Sequence, residues 1–262
     1  MLLLKLTLVP LLIGAITLIG RRYGSQLAGL LSGLPVIAGP ITYFMYLEQG
    51  SDFARHAASA TVSGVAALSS FCFAYAWLAA RWRWPLTALF AFAIYGLMAT
   101  GIVTAGLGIH ASFLLSLAVV CLQLRLSPPT TASVSTAPAS NSEVITRMLC
   151  AAGLVLLVTY FARQLGPAWS GVFAAFPIAA TVIALFSHRN VGANQARIAL
   201  KALKIGLLSL LSFFYVLAQA SPVTGFNTAF ALAAAVALLL QALIWLARRQ
   251  LASKRPALQG AG

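Results

Sequence analysis

The chain has 262 residues, 61% of them hydrophobic and 8% formally charged, with 17 bases against three acids, Glu48, Asp52 and Glu143. A soluble domain is about 25% charged, so these few charges cannot build a water-facing surface, and the hydrophobic content excludes a disordered chain. Stretches of 18 or more almost uncharged residues recur from end to end, which predicts a polytopic membrane protein without room for a second, soluble domain.

The spans follow in chain order. Span 1 is 2–20, closed by Arg21 and Arg22 and read as retained in the membrane, since no Ala-x-Ala cleavage site follows it. Span 2 is 24–47, interrupted by Pro35 and Pro40. Span 3 is 56–80, followed by Arg81-Trp82-Arg83-Trp84. From Pro85 to Leu124 no residue is charged. One helix of that length would be about 60 Å long, twice the hydrocarbon core. The stretch therefore divides at Thr104–Gly108 into span 4 (85–103) and span 5 (109–124). Residues 127–142, rich in Ser, Thr, Pro and Ala, read as a flexible linker. Spans 6 to 9 are 144–165, 167–187 with Pro177, 198–220 and 224–247, and a basic tail begins at Ser253.

Charge tests the count. With nine spans and the N-terminus outside, 14 of the 17 bases face the cytoplasm, leaving Lys5, Arg55 and Arg163 outside. An eight-span arrangement scatters them over both faces. The positive-inside rule thus selects nine spans with the C-terminus inside. The net charge of +14 is explained in the same way, so the predicted partner is anionic lipid at the cytoplasmic face and not nucleic acid. Cys72, Cys121 and Cys150 lie in apolar runs, with no Cys-x-x-Cys and no His/Cys cluster. Neither a disulfide framework, nor a metal, nor another cofactor is predicted.

Shifted by 142 residues, the sequence matches itself. Between 21–76 and 163–218, 17 of 56 positions are identical without a gap. Arg21/Arg163, Gly24/Gly166, Gly29/Gly171, Pro35/Pro177, Gly50/Gly192, Arg55/Arg197 and Gly64/Gly206 are among them. Apolar bias does not generate coincidences in Gly, Pro and Arg. Spans 1–4 correspond to spans 6–9, and the unpaired span 5 inverts the second unit, the arrangement of many secondary transporters. The predicted organisation is a first repeat plus extra span (1–126), the linker (127–142), a second repeat (143–252) and the tail (253–262).

Ala28-Gly29-Leu30, then Pro35, then Glu48-x-Gly50-x-Asp52-x-x-Arg55 resemble the GlpM family of small bacterial inner-membrane proteins, which are single four-span units. The second half keeps Gly171, Pro177, Gly192 and Arg197, with Asn190 and Asn194 in place of the acids. The resemblance implies two such units fused around span 5, a bacterial inner-membrane location, and at most a link to exopolysaccharide production.

Pro35 and Pro177, with Gly29 and Gly171 beside them, break matching spans. Interrupted spans at equivalent places point to a midplane binding site; the plainer reading is a kink packed through small residues. Gly50 and Gly192 read as helix ends, with Asp52 and Asn194 capping the helices that follow. Arg55 and Arg197 then either snorkel to lipid phosphates or gate the two mouths of a pathway. Arg197, Lys201 and Lys204 share one helix face, which is either an anionic-lipid contact or a basic vestibule for an anionic solute. No carboxylate lies within a span, so the usual proton relay is missing. His56, His110 and His188 fall near span ends and read as interfacial.

No phosphate-binding loop, hydrolase elbow or metalloprotease motif occurs, so an enzyme is not expected. The expectation is an all-α, nine-span membrane protein that carries a small solute between spans 2 and 7. Ser32, Thr42, Tyr43, Thr181 and Ser212 would surround a wet cavity. The alternative is a non-transporting component that assists envelope or exopolysaccharide assembly, as a homo-oligomer or with a partner, and has a dry, close-packed centre.

Overall fold

The computed structural model describes residues 2–131, 141–165 and 175–254. Within them the chain is all α-helical, with no strand. In order the helices are α1 (Leu2–Tyr23), α2 (Ser25–Gly33), α3 (Ala38–Leu78), α4 (Trp84–Ala105), α5 (Ile109–Arg125), α6 (Asn141–Leu165), α7 (Ile178–Asn190), α8 (Ala193–Thr224) and α9 (Phe226–Lys254). Four described stretches are long and apolar enough to cross a membrane: Gln26–Leu78, Trp84–Ala105, Ala193–Thr224 and Phe226–Ala247. In lipid such segments must satisfy their backbone internally, and a helix does so.

Proline and glycine set the breaks. Leu34, immediately before Pro35, is extended (φ −77°, ψ 161°) and ends α2, as steric crowding by the proline ring requires. The helix resumes at Ala38, so Pro40 falls in the first turn of α3, where proline is tolerated and interrupts nothing. α3 is itself two arms joined at Gly50, whose φ of 85° and ψ of 175° are non-helical. Gly192 takes the same role before α8, with φ 127° and ψ 172°. Only glycine enters that region without strain. The uncharged stretch 85–124 is two helices, with Gly106 left-handed at the end of α4 (φ 56°, ψ 34°).

α8 is the central element. It packs on α2, α3, α5, α7 and α9, while α1 pairs with α6, and α4 and α5 with α3. Its buried side includes Leu200, Leu203, Leu207, Leu211, Phe213, Phe214 and Leu217. The outward sides of α4 and α9 carry exposed Leu89, Leu97, Leu238, Leu239 and Leu243, the composition of a lipid-facing surface.

α2 reaches α8 through glycine. A methyl group on Gly29 would collide with the Ala199 carbonyl, and one on Gly33 with the Leu203 carbonyl. From the other side, a methyl on Gly206 would lie 2.6 Å from the Leu30 oxygen and 2.8 Å from the Gly33 Cα. Gly29 and Gly33 thus form a Gly-x-x-x-Gly crossing, the device by which membrane helices gain contact where lipid supplies no hydrophobic drive.

Parts of the predicted linker 127–142 are described. Ser127 donates to the Gln123 carbonyl (2.7 Å), and α6 already begins at Asn141. Asn194 does not cap α8. It holds Thr131 from both sides, accepting from its N–H (3.2 Å) and donating to its carbonyl (2.9 Å). Asp52 likewise makes no cap; its carboxylate lies 3.9 Å from Arg55, and its side chain is exposed.

Candidate functional site

The break at Pro35 and the start of α7 at Pro177 face a common cavity of about 160 Å³. The first contributes Leu34, Ile37, Ala38, Ile41 and Thr42; the second contributes Phe176, Pro177, Ile178, Ala179 and Ala180. Thr61, Leu203, Leu210 and Phe214 supply more of the wall from α3 and α8. Among the described residues no charged side chain lines it.

The polar groups of the wall are hydroxyls, and each is already bonded within its own helix. Ser32 donates to the Ala28 carbonyl (2.8 Å), Thr42 to Ala38 (2.9 Å) and Thr61 to Ala57 (2.8 Å). Their protons are thereby occupied and their lone pairs face outward. Thr181 is buried, and its hydroxyl has no partner among the described residues; it stands beside the cavity wall at Ala180.

Of the residues proposed from sequence, the structure brings Pro177, Thr42 and Ser32 to the cavity. Pro35 forms the break without lining the space. Gly29 belongs to the α2–α8 crossing, and Gly171 lies outside the described residues. Tyr43 turns to α9, where its hydroxyl donates to Asn227 (3.2 Å) and its ring packs edge-on against Phe230. Ser212 donates to the Leu208 carbonyl (2.9 Å).

The basic face of α8 has a different geometry from either reading of its spacing. Arg197 neither snorkels nor stands free at a mouth; its Nε donates to the Ala76 carbonyl (2.9 Å), in the last turn of α3. Lys204 is fully buried. Its ammonium donates to Ser127 (2.6 Å) and to the Gln123 carbonyl in the last turn of α5 (3.2 Å), and lies 5.2 Å from the centre of the Phe73 ring. The carbonyls at a helix C-terminus lack partners in the helix and carry its negative dipole end. Two cations of α8 therefore close the ends of two other helices. Lys201, between them in sequence, is half-buried. Arg55, the counterpart of Arg197, stays beside Asp52, so the two arginines are not alike.

Around Arg197 a second polar group assembles. His188 Nδ1 lies 3.3 Å from the Tyr75 hydroxyl. Burial, and then the positive charge of Arg197, hold the His188 imidazole below its ordinary pKa. His110 joins Tyr215 (3.0 Å) and Gln219 (3.3 Å) near the start of α5. Among the described residues no group of three His, Cys, Asp or Glu side chains is placed to hold a metal.

Neither a family model, nor a curated protein, nor a solved structure matches the chain. The geometry of the cavity and of its walls is therefore the ground for a functional reading.

Proposed function

We propose that the protein is a nine-span permease of the bacterial inner membrane, built from two inverted repeats, that carries a small solute through the cavity between its proline breaks. One observation carries this reading. The cavity is lined by repeat-equivalent pairs: Leu34/Phe176, Ile37/Ala179, Ala38/Ala180, Thr61/Leu203 and Leu68/Leu210, each 142 residues apart. Transporters with inverted repeats hold their solute at the repeat interface, between discontinuous helices.

Helix ends support the duplication. Trp84 and Phe226 open α4 and α9, and Ser51 and Ala193 follow the glycines of positive φ, again 142 apart in each case. The N-out orientation rests on the distribution of bases. The kinship with the GlpM family rests on the Gly, Pro and Arg spacing of the first half.

The test compares a deletion strain complemented with the wild type or with Ala180→Leu, which fills the cavity. A permease restores the cell-to-medium ratio of one metabolite, and the filled variant, present in the membrane at equal amount, does not. A changed surface polysaccharide with no metabolite displaced, fully complemented by Ala180→Leu, would overturn the reading in favour of an envelope-assembly component. Reporter tags in the 48–55 and 190–197 loops should emerge on opposite faces; tags on one face would end the inverted repeat.

A further inference from the structure

We infer that the cavity selects a neutral, largely apolar molecule of about six to nine non-hydrogen atoms that carries one hydrogen-bond donor, and that it rejects ions of either sign. This names the ligand class of the site proposed above and rests on that reading.

Size comes first. The cavity measures about 160 Å³, and an apolar protein cavity of about 150 Å³ is known to take up benzene. A single six-membered ring with one short substituent fits.

The wall decides polarity. Its residues are apolar except for Ser32, Thr42 and Thr61. A molecule entering displaces little bound water and gains dispersion contacts with side chains such as Phe176, Phe214 and Ile41. An ion would leave its hydration shell and find no charged side chain among the described residues of the wall; the N–H groups at the starts of α3 and α7 offer an anion only a fraction of a charge.

Three cations on the surrounding helices are committed elsewhere. Arg147, over Phe186, is paired with Glu143 (2.6 Å). Arg197 is bonded at the end of α3 and Lys204 at the end of α5. The neighbour of Lys204, Leu203, lines the cavity, but successive residues of a helix diverge by about 100° and do not share a face.

The hydroxyls decide the remaining group. All three donate to carbonyls of their own helices, so what they offer a ligand is lone pairs. A hydroxyl or amide N–H on the ligand meets them directly. A ligand bearing only acceptors would require one of those hydroxyls to leave its carbonyl.

The experiment uses the full chain in lipid nanodiscs and three probes of one shape: benzyl alcohol, benzoate and benzylammonium. Saturation-transfer NMR reads binding, and Ala180→Leu and Thr42→Leu, both folded by thermal unfolding, subtract partition into lipid. The wild type should saturate benzyl alcohol at least about fivefold more strongly than either filled variant, with no such difference for the two ions. Benzoate or benzylammonium showing the larger difference overturns the inference, as does the absence of a difference for all three. If benzyl alcohol binds but no metabolite is displaced in the deletion strain, the permease reading falls and the ligand class stands. If an ion is the metabolite displaced, the ligand class falls and the permease reading stands.

Discussion

Gly206→Ala should loosen the molecule at its centre. The added methyl would lie 2.6 Å from the Leu30 oxygen and 2.8 Å from the Gly33 Cα. Carbon atoms attract best at about 3.5–4.0 Å, so α2 and α8 must part by about 0.8 Å. Both obstacles are backbone, and neither can swing aside as a side-chain tip would. A gap of that size forfeits a quarter to a half of each dispersion contact along the crossing, and overpacking of this kind costs about 1–3 kcal/mol. Alanine is intrinsically the better helix former, by about 1 kcal/mol, which offsets part of the loss. The net expectation is about 0–2 kcal/mol of destabilisation, as a lower midpoint of thermal unfolding in detergent. Gly96→Ala on α4 is the control. Nothing lies within 4 Å of its added methyl, so the propensity gain of about 0.5–1 kcal/mol should appear undiminished. If Gly206→Ala proved as stabilising as Gly96→Ala, the close crossing of α2 and α8 would be refuted.

Three further perturbations test the polar groups. Lys204→Met removes a fully buried cation but leaves the Gln123 carbonyl its bond from Ser127. The charge-assisted bonds lost, about 1.5–3 kcal/mol, are set against the relief of desolvation, several kcal/mol for a buried ion. Stability in detergent should therefore hold or rise, and a fall beyond about 3 kcal/mol would contradict that balance. Thr181→Val replaces an unpartnered buried hydroxyl by a methyl of similar size and should stabilise by about 1–3 kcal/mol; a lower unfolding midpoint would show that the hydroxyl has an acceptor after all. His188 is held below its ordinary pKa, so above about pH 6.5 it is neutral in both folded and unfolded chains and contributes no pH dependence. Below that value the unfolded chain takes up the proton first, and stability falls as pH falls towards the lowered folded value. His188→Gln should flatten the acid limb of the unfolding midpoint against pH, and an unchanged limb would assign it to other groups.

The all-helical class was legible from composition, and so was the division of 85–124, because its length alone forbids one helix. The break at Pro35 and the turns at Gly50 and Gly192 were legible because proline and glycine act on the backbone locally. What could not be read is how distant side chains meet. Lys204 stands 81 residues from Gln123, and no local pattern tells that its ammonium ends on that carbonyl. Spacing put Arg197, Lys201 and Lys204 on one face but not what that face touches. Close packing through the small residues beside Pro35 was legible; that the partner of Gly33 is Gly206 on α8 was not. Asn194 was misassigned because a cap and a clamp use the same side chain at the same helix start.

The attachment of α8 to the ends of α3 and α5 has a bearing on biogenesis. A lysine near the middle of an emerging segment raises its cost of insertion by about 2.5–3.5 kcal/mol. The groups that receive Lys204 and Arg197, the Gln123 and Ala76 carbonyls, are synthesised more than 70 residues earlier. By the time α8 leaves the ribosome its acceptors are already in the bilayer. If those contacts guide insertion, a chain covering residues 1–131 and one covering 141–262, expressed separately, should assemble best when the first is made first.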